Sequence, residues 1–488
     1  MSNLTDLLPA GAGGKQVDFV ASGTLSSGQT VALKTDGTVE AVVTLGPSVG
    51  SSNYVGGKAD NIQTIYASDI DKVITVYKNN SGYGVIQVGT PVSGGVSWGT
   101  AVVFQSNSVG WPSVSWSPVS QRWAVFYLNY SDYFKVTTKL GTISGTTPSV
   151  THTNTHGSFA PLWASAVYHP TYDRAVFTYS GEYTEGFYYP RYYLFELTTT
   201  GVVARSSGNT YGVFGAYIGT AKSAYDVQAD RVVLVGTNST VNGGAVFLGQ
   251  VTSGTSMTWT GPTAFPSGRS DGNAGYAVAY ESTNQKTVIA FQNSLNSNRG
   301  QSYVVDVSGG TPSFGSIATF TTNAVDYVSA AFDPIAGTVG VGYKDVTTSN
   351  YGYATAGTVS GSSISFATPI VVRATNTTDW FSAVYTPTFP QVIFQYLVTT
   401  GGSENQYYSS FVGSSTNLPD FIGITDAAIS DTASGSVTIK GGISTNVTGL
   451  TPNQNYYVQT NGTLSTTVSS VLAGKALSST SINLDYTT

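Results

Sequence analysis

Catalysis by a protein side chain needs a nucleophile, a base or paired carboxylates gathered in a cleft. Few residues of this 488-residue chain are spaced to supply them. Cleavage of a sugar polymer takes two carboxyl groups about 5 to 10 Å apart. The 26 Asp and Glu residues are instead scattered, and most stand in turn contexts, such as Asp69, Asp71, Asp173, Asp226, Asp230 and Asp333. Hydrogen bonding to the turn backbone accounts for those. The one tight acidic pair is Glu182 and Glu185 in GEYTEG, and SGRSDGN around Asp271 is a second polar loop. There is no cysteine, which removes thiol nucleophiles, disulfides and iron–sulfur ligands together. Of three histidines, His152 and His156 are four apart in THTNTHGS, read as a Gly/Thr-rich loop where that spacing places them on no common helical face. His169 takes the turn position held in other repeats by Ser117, Asp226, Glu281, Asp333 and Thr386, a structural role. No catalytic residue, metal ligand or cofactor site is predicted.

Aromatic side chains are the remaining candidates for binding. Trp111, Trp163, Tyr327 and Trp380 occur at one equivalent place in four repeats, five residues before an anchor aromatic. Odd spacing along a strand assigns them to the face opposite that anchor. They are expected to form a partial ring at one mouth of a central channel, either as a stacking platform for sugars or as packing between repeats. A second cluster, Gly186-Phe-Tyr-Tyr-Pro-Arg-Tyr-Tyr193, lies in the longest insertion and offers Tyr188 and Tyr189 as exposed contacts.

The elements that must hold these residues form a repeat. The anchors Tyr66, Trp116, Tyr168, Tyr225, Tyr280, Phe332 and Tyr385 are 50, 52, 57, 55, 52 and 53 residues apart. Each opens a turn into a hydrophobic strand, as in WSPVSQRWAVFY from Trp116 and YTPTFPQVIFQY from Tyr385. Small residues precede the anchors, as befits strands converging on an axis, and an outer strand carries Trp98, Trp259, Phe314 or Phe366. A period near 50 built from short strands and turns predicts an all-β fold, a seven-bladed β-propeller spanning 36–415. The last repeat lacks its outer strand. A segment near 36–47 is expected to supply it and so remove an open sheet edge.

The two chain ends share a further pattern. Leu25–Val39 aligns without a gap on Leu450–Leu464, each reading as a hairpin with a two-residue Asp-Gly or Asn-Gly turn. Residues 1–35 are read as a docking arm and hairpin, with PAGAGG from Pro9 ordered by a partner, and 416–488 as a C-terminal β module. The two ends together offer one composite module, although 37–45 then has to serve both the hairpin and the ring closure. Only 9% of residues are charged and the net charge is −6, with no Lys/Arg cluster, which argues against nucleic acid. No apolar run reaches the roughly 18 residues of a membrane span. No secretory signal is seen at the start, so synthesis in a host cytoplasm is expected.

The opening LTDLLPAGAGGKQVDFVASGTLSSGQTVALKTDGTVEAV resembles the start of virion structural proteins from marine tailed phages, cyanophages especially. The closing FIGITDAAISDTASGSVTIKGGISTNVTGLTPNQNYYVQTNGTLSTT resembles a module found in phage tail-fibre and appendage proteins. The resemblance implies a non-enzymatic virion protein, a tail-associated appendage or fibre subunit. Its termini would bind other virion proteins, and its propeller would face a host-surface glycan or a neighbour. Virion symmetry then points to a homo-oligomer. Capsid decoration or a head fibre, a free glycan-binding lectin and a polysaccharide depolymerase are the competing expectations.

Overall fold

Alternating Val, Ile and aromatic residues between Gly-, Asn- and Asp-rich turns leave the chain little choice but extended strands. In the computed structural model, the only helical elements among the described residues are single 3-10 turns. The structure describes residues 15–485 except 133, 158–160, 185–186, 210–217, 271–274, 375–376, 401–402, 414, 460 and 470. The chain forms two compact units, one of residues 47–413 and one of 1–46 with 414–488.

The larger unit is a propeller-like ring of antiparallel meanders. Their innermost strands are Asp60–Ala67, the second half of Val102–Ser117, Pro161–His169, Ile218–Asp226, Tyr276–Glu281, the second half of Ala318–Asp333, and Thr377–Thr386. Two strands do double duty: Val102–Ser117 and Ala318–Asp333 each close one meander and then bend to open the next. Hydrophobic clusters lie between successive meanders. One joins Val176 and Leu194 to Val232, Phe247 and Trp259, and another joins Val73 and Val96 of the first meander to Val384, Ile393 and Tyr408 of the last, which closes the circle. The outer-strand aromatics serve this purpose: Trp259 lies 6.0 Å from Tyr192, Trp98 6.2 Å from Tyr408, Phe314 5.6 Å from Phe265 and Phe366 5.6 Å from Phe320.

The closing strand differs from the expectation. Ser403–Val412 pairs with Ser48–Val49 and Asn53–Gly57, not with 36–47. Residues 39–41 are already committed, because Val39–Ala41 returns against Thr30–Leu33 in the Asp36-Gly37 hairpin. A local hairpin closes a shorter loop than a pairing hundreds of residues away, so it claims this segment and the next stretch closes the ring.

The smaller unit interleaves both chain ends. One sheet runs Gln16–Val20, Ser434–Ile439, Phe421–Thr425, Thr30–Leu33, Val39–Ala41, so two C-terminal strands are held between N-terminal ones. A second sheet is built from 443–484, and Ala32, Val42, Phe421, Ile424, Val458 and Ile482 share one core. The two aligned hairpins have the same turn, with three loop residues rather than two. Lys34 N–H donates to Thr38 O and Gly37 N–H to Lys34 O, matched by Gln459 to Thr463 and Gly462 to Gln459. Gly37 and Gly462 take φ values of 84° and 81°, the left-handed bulge position that closes such a turn.

Candidate functional site

The innermost strands surround a central cavity of about 540 Å³. Counting back from each anchor aromatic, the third residue is Gln63, Ser113, Ser165, Lys222, Ala277, Ser329 or Ser382. Where this side chain can accept a hydrogen bond, it often stitches its strand to the next. Ser382 Oγ accepts from Thr64 N–H at 3.0 Å, Gln63 Oε1 from Val114 N–H at 2.6 Å, and Ser165 Oγ from Ser223 N–H at 3.1 Å. Lys222 has donors only and cannot do this. Water reaches its side chain along the channel while surrounding protein lowers its pKa by desolvation. Among the described residues it has no hydrogen-bond or ion-pair partner, and no carboxylate lines the cavity. Sequence reasoning passed over Lys222. Its signal was there, a lone charge in a column of small and amide residues.

Beyond Lys222 the channel narrows to a smaller cavity lined by Asn61, Trp111, Trp380 and Phe381 among others. The predicted aromatics meet here. Trp111 lies 6.2 Å from Trp163 and 6.2 Å from Trp380, and Trp380 lies 5.1 Å from Tyr327. All four rings are half-buried, and Lys344 Nζ stands 5.4 Å over Tyr327 while pairing with Asp379 at 2.6 Å. Their backbone departs from the parity argument used to place them. Trp111, Trp163, Tyr327 and Trp380 have φ of 49°, 47°, 51° and 53°, as does Asn61 at 54°. Each sits where the pairing register slips by one residue. A bulge breaks the alternation of faces, so counting residues from the anchor does not fix the side. Left-handed backbone at a bulky residue costs roughly 1 kcal/mol, and its repetition marks these positions as functional candidates.

At the other mouth the anchors are tied down by their own turns. Tyr66 donates to Asp71 at 2.7 Å, Tyr168 to Asp173 at 2.9 Å, and Tyr225 to Asp230. Burial first, and the adjacent carboxylate second, push the Tyr66 and Tyr225 hydroxyls up to about 12. The same carboxylates hold the neighbouring turn, as Ser117 Oγ donates to Asp173 at 2.6 Å and Thr388 Oγ1 to Asp71 at 2.8 Å. These acids have local structural partners.

None of the histidines is among the described residues that line the cavity. His152 and His156 belong to the outer strand Thr147–His156 rather than a loop, because the polar run T-H-T-N-T-H keeps a period of two and pairs with Val136–Leu140. His156 packs on Phe195 at 4.8 Å, and burial lowers its pKa to about 4. His169 is fully buried in its turn, 4.8 Å from Tyr225, and burial lowers its pKa too. Tyr188 and Tyr189 lie on the strand Phe187–Thr198, opposite Glu182 and Gly181. Their side chains, with those of Glu182, Glu185 and Asp271, fall outside the described residues, as does the arm at 9–14. Among the described residues no three metal-ligating side chains converge, and no helix is long and apolar enough to cross a membrane.

No protein-family model matches the chain, and no curated protein matches its sequence. Solved structures do match. The BP39L lectin from Burkholderia pseudomallei is 12% identical with a TM-score of 0.50, over 73% of this chain and 96% of the lectin. A protein of unknown function from Dyadobacter fermentans is 11% identical at a TM-score of 0.43, covering 76% and 99%. Trypanosoma rangeli sialidase is 7% identical at 0.40, covering 81% and 59%. At such identity the likeness is one of fold: this chain has a propeller-like all-β fold.

Proposed function

We propose that this chain is a non-enzymatic structural protein of a phage virion, a tail-associated appendage or fibre subunit. In this reading the terminal unit attaches to the particle and the ring faces a host surface or a neighbouring protein. One observation carries it. The two stretches that resemble phage virion proteins, 4–42 and 421–467, lie at opposite ends of the sequence, yet their described strands share a single sheet, with Phe421–Thr425 and Ser434–Ile439 held between Gln16–Val20 and Thr30–Leu33. A module held from both ends cannot be lost by fraying one terminus, which suits an attachment point. The low charge and the ring of meanders, closed by packing of the first on the last, suit survival outside a cell, since many long-range contacts must break together. The cavity wall offers hydroxyls, amides, an amine and aromatic rings, groups for binding rather than hydrolysis.

The test is limited proteolysis of density-purified particles followed by peptide mass spectrometry. The reading expects peptides of this chain in the particle band, with 47–413 cleaved or labelled before 16–46 and 415–485. Absence of the chain from the band rejects it.

The aromatic arc favours a second reading, glycan binding by the ring outside any particle, since sugar faces stack on such rings. A glycan array probed with the purified chain separates the two. Binding that disappears on joint Trp111→Ala, Trp163→Ala and Trp380→Ala replacement in a protein absent from particles supports the lectin.

A further inference from the structure

We infer that the central channel is a binding site for a small acidic sugar, a monosaccharide bearing a carboxylate, with Lys222 as its counter-ion. The inference concerns the channel alone and holds whether or not the chain is carried by a particle.

The cavity of about 540 Å³ falls within the range of small-molecule sites and exceeds what one monosaccharide fills. Its wall is unusual in charge. Lys222 is the one formal charge among the described wall residues, and Ile62, Val328 and Phe381 flank it at the neck. An ammonium bordered by apolar groups in a confined channel attracts an anion more strongly than it would in bulk water. Among the described wall residues no carboxylate competes for it.

The rest of the wall fits a polyol. Thr64, Ser115, Ser165, Ser223, Ser329 and Ser382 supply hydroxyls from different strands. Ser115 is 2% exposed, and its hydroxyl has no hydrogen-bond partner among the described residues, so a donor and acceptor is left over at the wall. Tyr66, Trp116 and Tyr168 add ring surface toward the wider mouth.

Lys222 also occupies a position where another residue would serve the fold better. At the equivalent place Gln63, Ser165 and Ser382 each accept from the backbone of the next strand. A lysine forgoes that bond and places an amine beside the axis that has no protein partner among the described residues. Ala277 forgoes the bond too, but Lys222 is the one member of the column that brings a charge without a compensating contact among the described residues, which marks a functional position. Stability and binding should therefore pull in opposite directions here.

The experiment uses the full chain with isothermal titration against glucuronate, galacturonate and N-acetylneuraminate. Glucose serves as the neutral control and inorganic phosphate as the bare anion. At least one acidic sugar is expected to bind ten-fold or more tighter than glucose and tighter than phosphate. Lys222→Gln should reduce that affinity to the level of glucose, and Lys222→Arg should retain most of it. Lys222→Gln should also melt at the same temperature as the unmodified protein or higher, because glutamine can restore the stitch that Gln63 makes. Acidic sugars binding no better than glucose, or unchanged by Lys222→Gln, overturn the proposal. Phosphate binding as tightly as every acidic sugar overturns its sugar half and leaves a simple anion site.

Discussion

A tryptophan in left-handed backbone sets two energies against each other, about 1 kcal/mol of local strain against the burial and ring contacts the bulge makes possible. At Trp111, with φ 49°, this makes a sharp prediction. Trp111→Gly and Trp111→Ala both lose the contacts to Trp163 and Trp380, but glycine adopts the backbone freely. The glycine variant should be the more stable by about 1 kcal/mol in chemical denaturation, reversing the usual order in a strand. Equal stability, or an advantage for alanine, would remove the left-handed bulge from the account. The equivalence of Trp111, Trp163, Tyr327 and Trp380 was legible from their common distance to an anchor. Their backbone was not, because periodicity counts residues and a bulge changes the count without changing the sequence pattern. Lys222 was equally readable in principle, but only once the repeats were stacked column by column.

Buried histidine gives a second prediction at this scale. The pKa of His156 falls to about 4 in the folded chain, against roughly 6.5 when unfolded. The unfolded state therefore takes up the proton first. Stability falls as pH drops from about 6.5 to about 4, by roughly 2 kcal/mol or less after allowing for partial exposure. His169, also lowered by burial, contributes in the same direction. His156→Gln should narrow the gap between denaturation midpoints at pH 7 and pH 4.5, and an unchanged gap would contradict the neutral buried imidazole. That His156 stands on a strand was misread from the Gly and Thr around it. Threonine favours strands, and the two-residue alternation outweighs the turn character of the following glycine.

Among the elements, the ring closure is where local and distant pairings compete. The missing outer strand of the last repeat could be counted from sequence, and so could its origin upstream of Tyr66. Its register could not, since 36–47 and 48–57 both offer extended residues and only the hairpin at Asp36-Gly37 decides between them. The closing pair Tyr54 and Tyr407 meet edge to face at 5.7 Å, and Arg373 stacks 4.6 Å over Tyr407. Replacing 47–57 by a Gly/Ser linker of the same length should expose the edge of Ser403–Val412 and lower the melting temperature of the ring by several degrees or more. It should also promote concentration-dependent association of the kind open edges cause. A ring of unchanged stability after that replacement would mean that the strand does not close it.

Across the whole molecule the chain enters the ring once and leaves it once, and both crossings belong to a unit formed by the two termini. The repeat was readable because seven copies of one phrase reinforce each other, whereas the terminal unit shows only two aligned hairpins separated by more than four hundred residues. In the proposed reading, what the ring contacts is set by the assembled particle. Immunogold electron microscopy of purified particles from a culture producing this chain, with antibody raised against 47–413, addresses the central proposal directly. The account predicts gold on the outside of intact particles, at the tail for an appendage or over the head for a decoration protein. Particles that stay unlabelled while the free chain is labelled in the same preparation would contradict it.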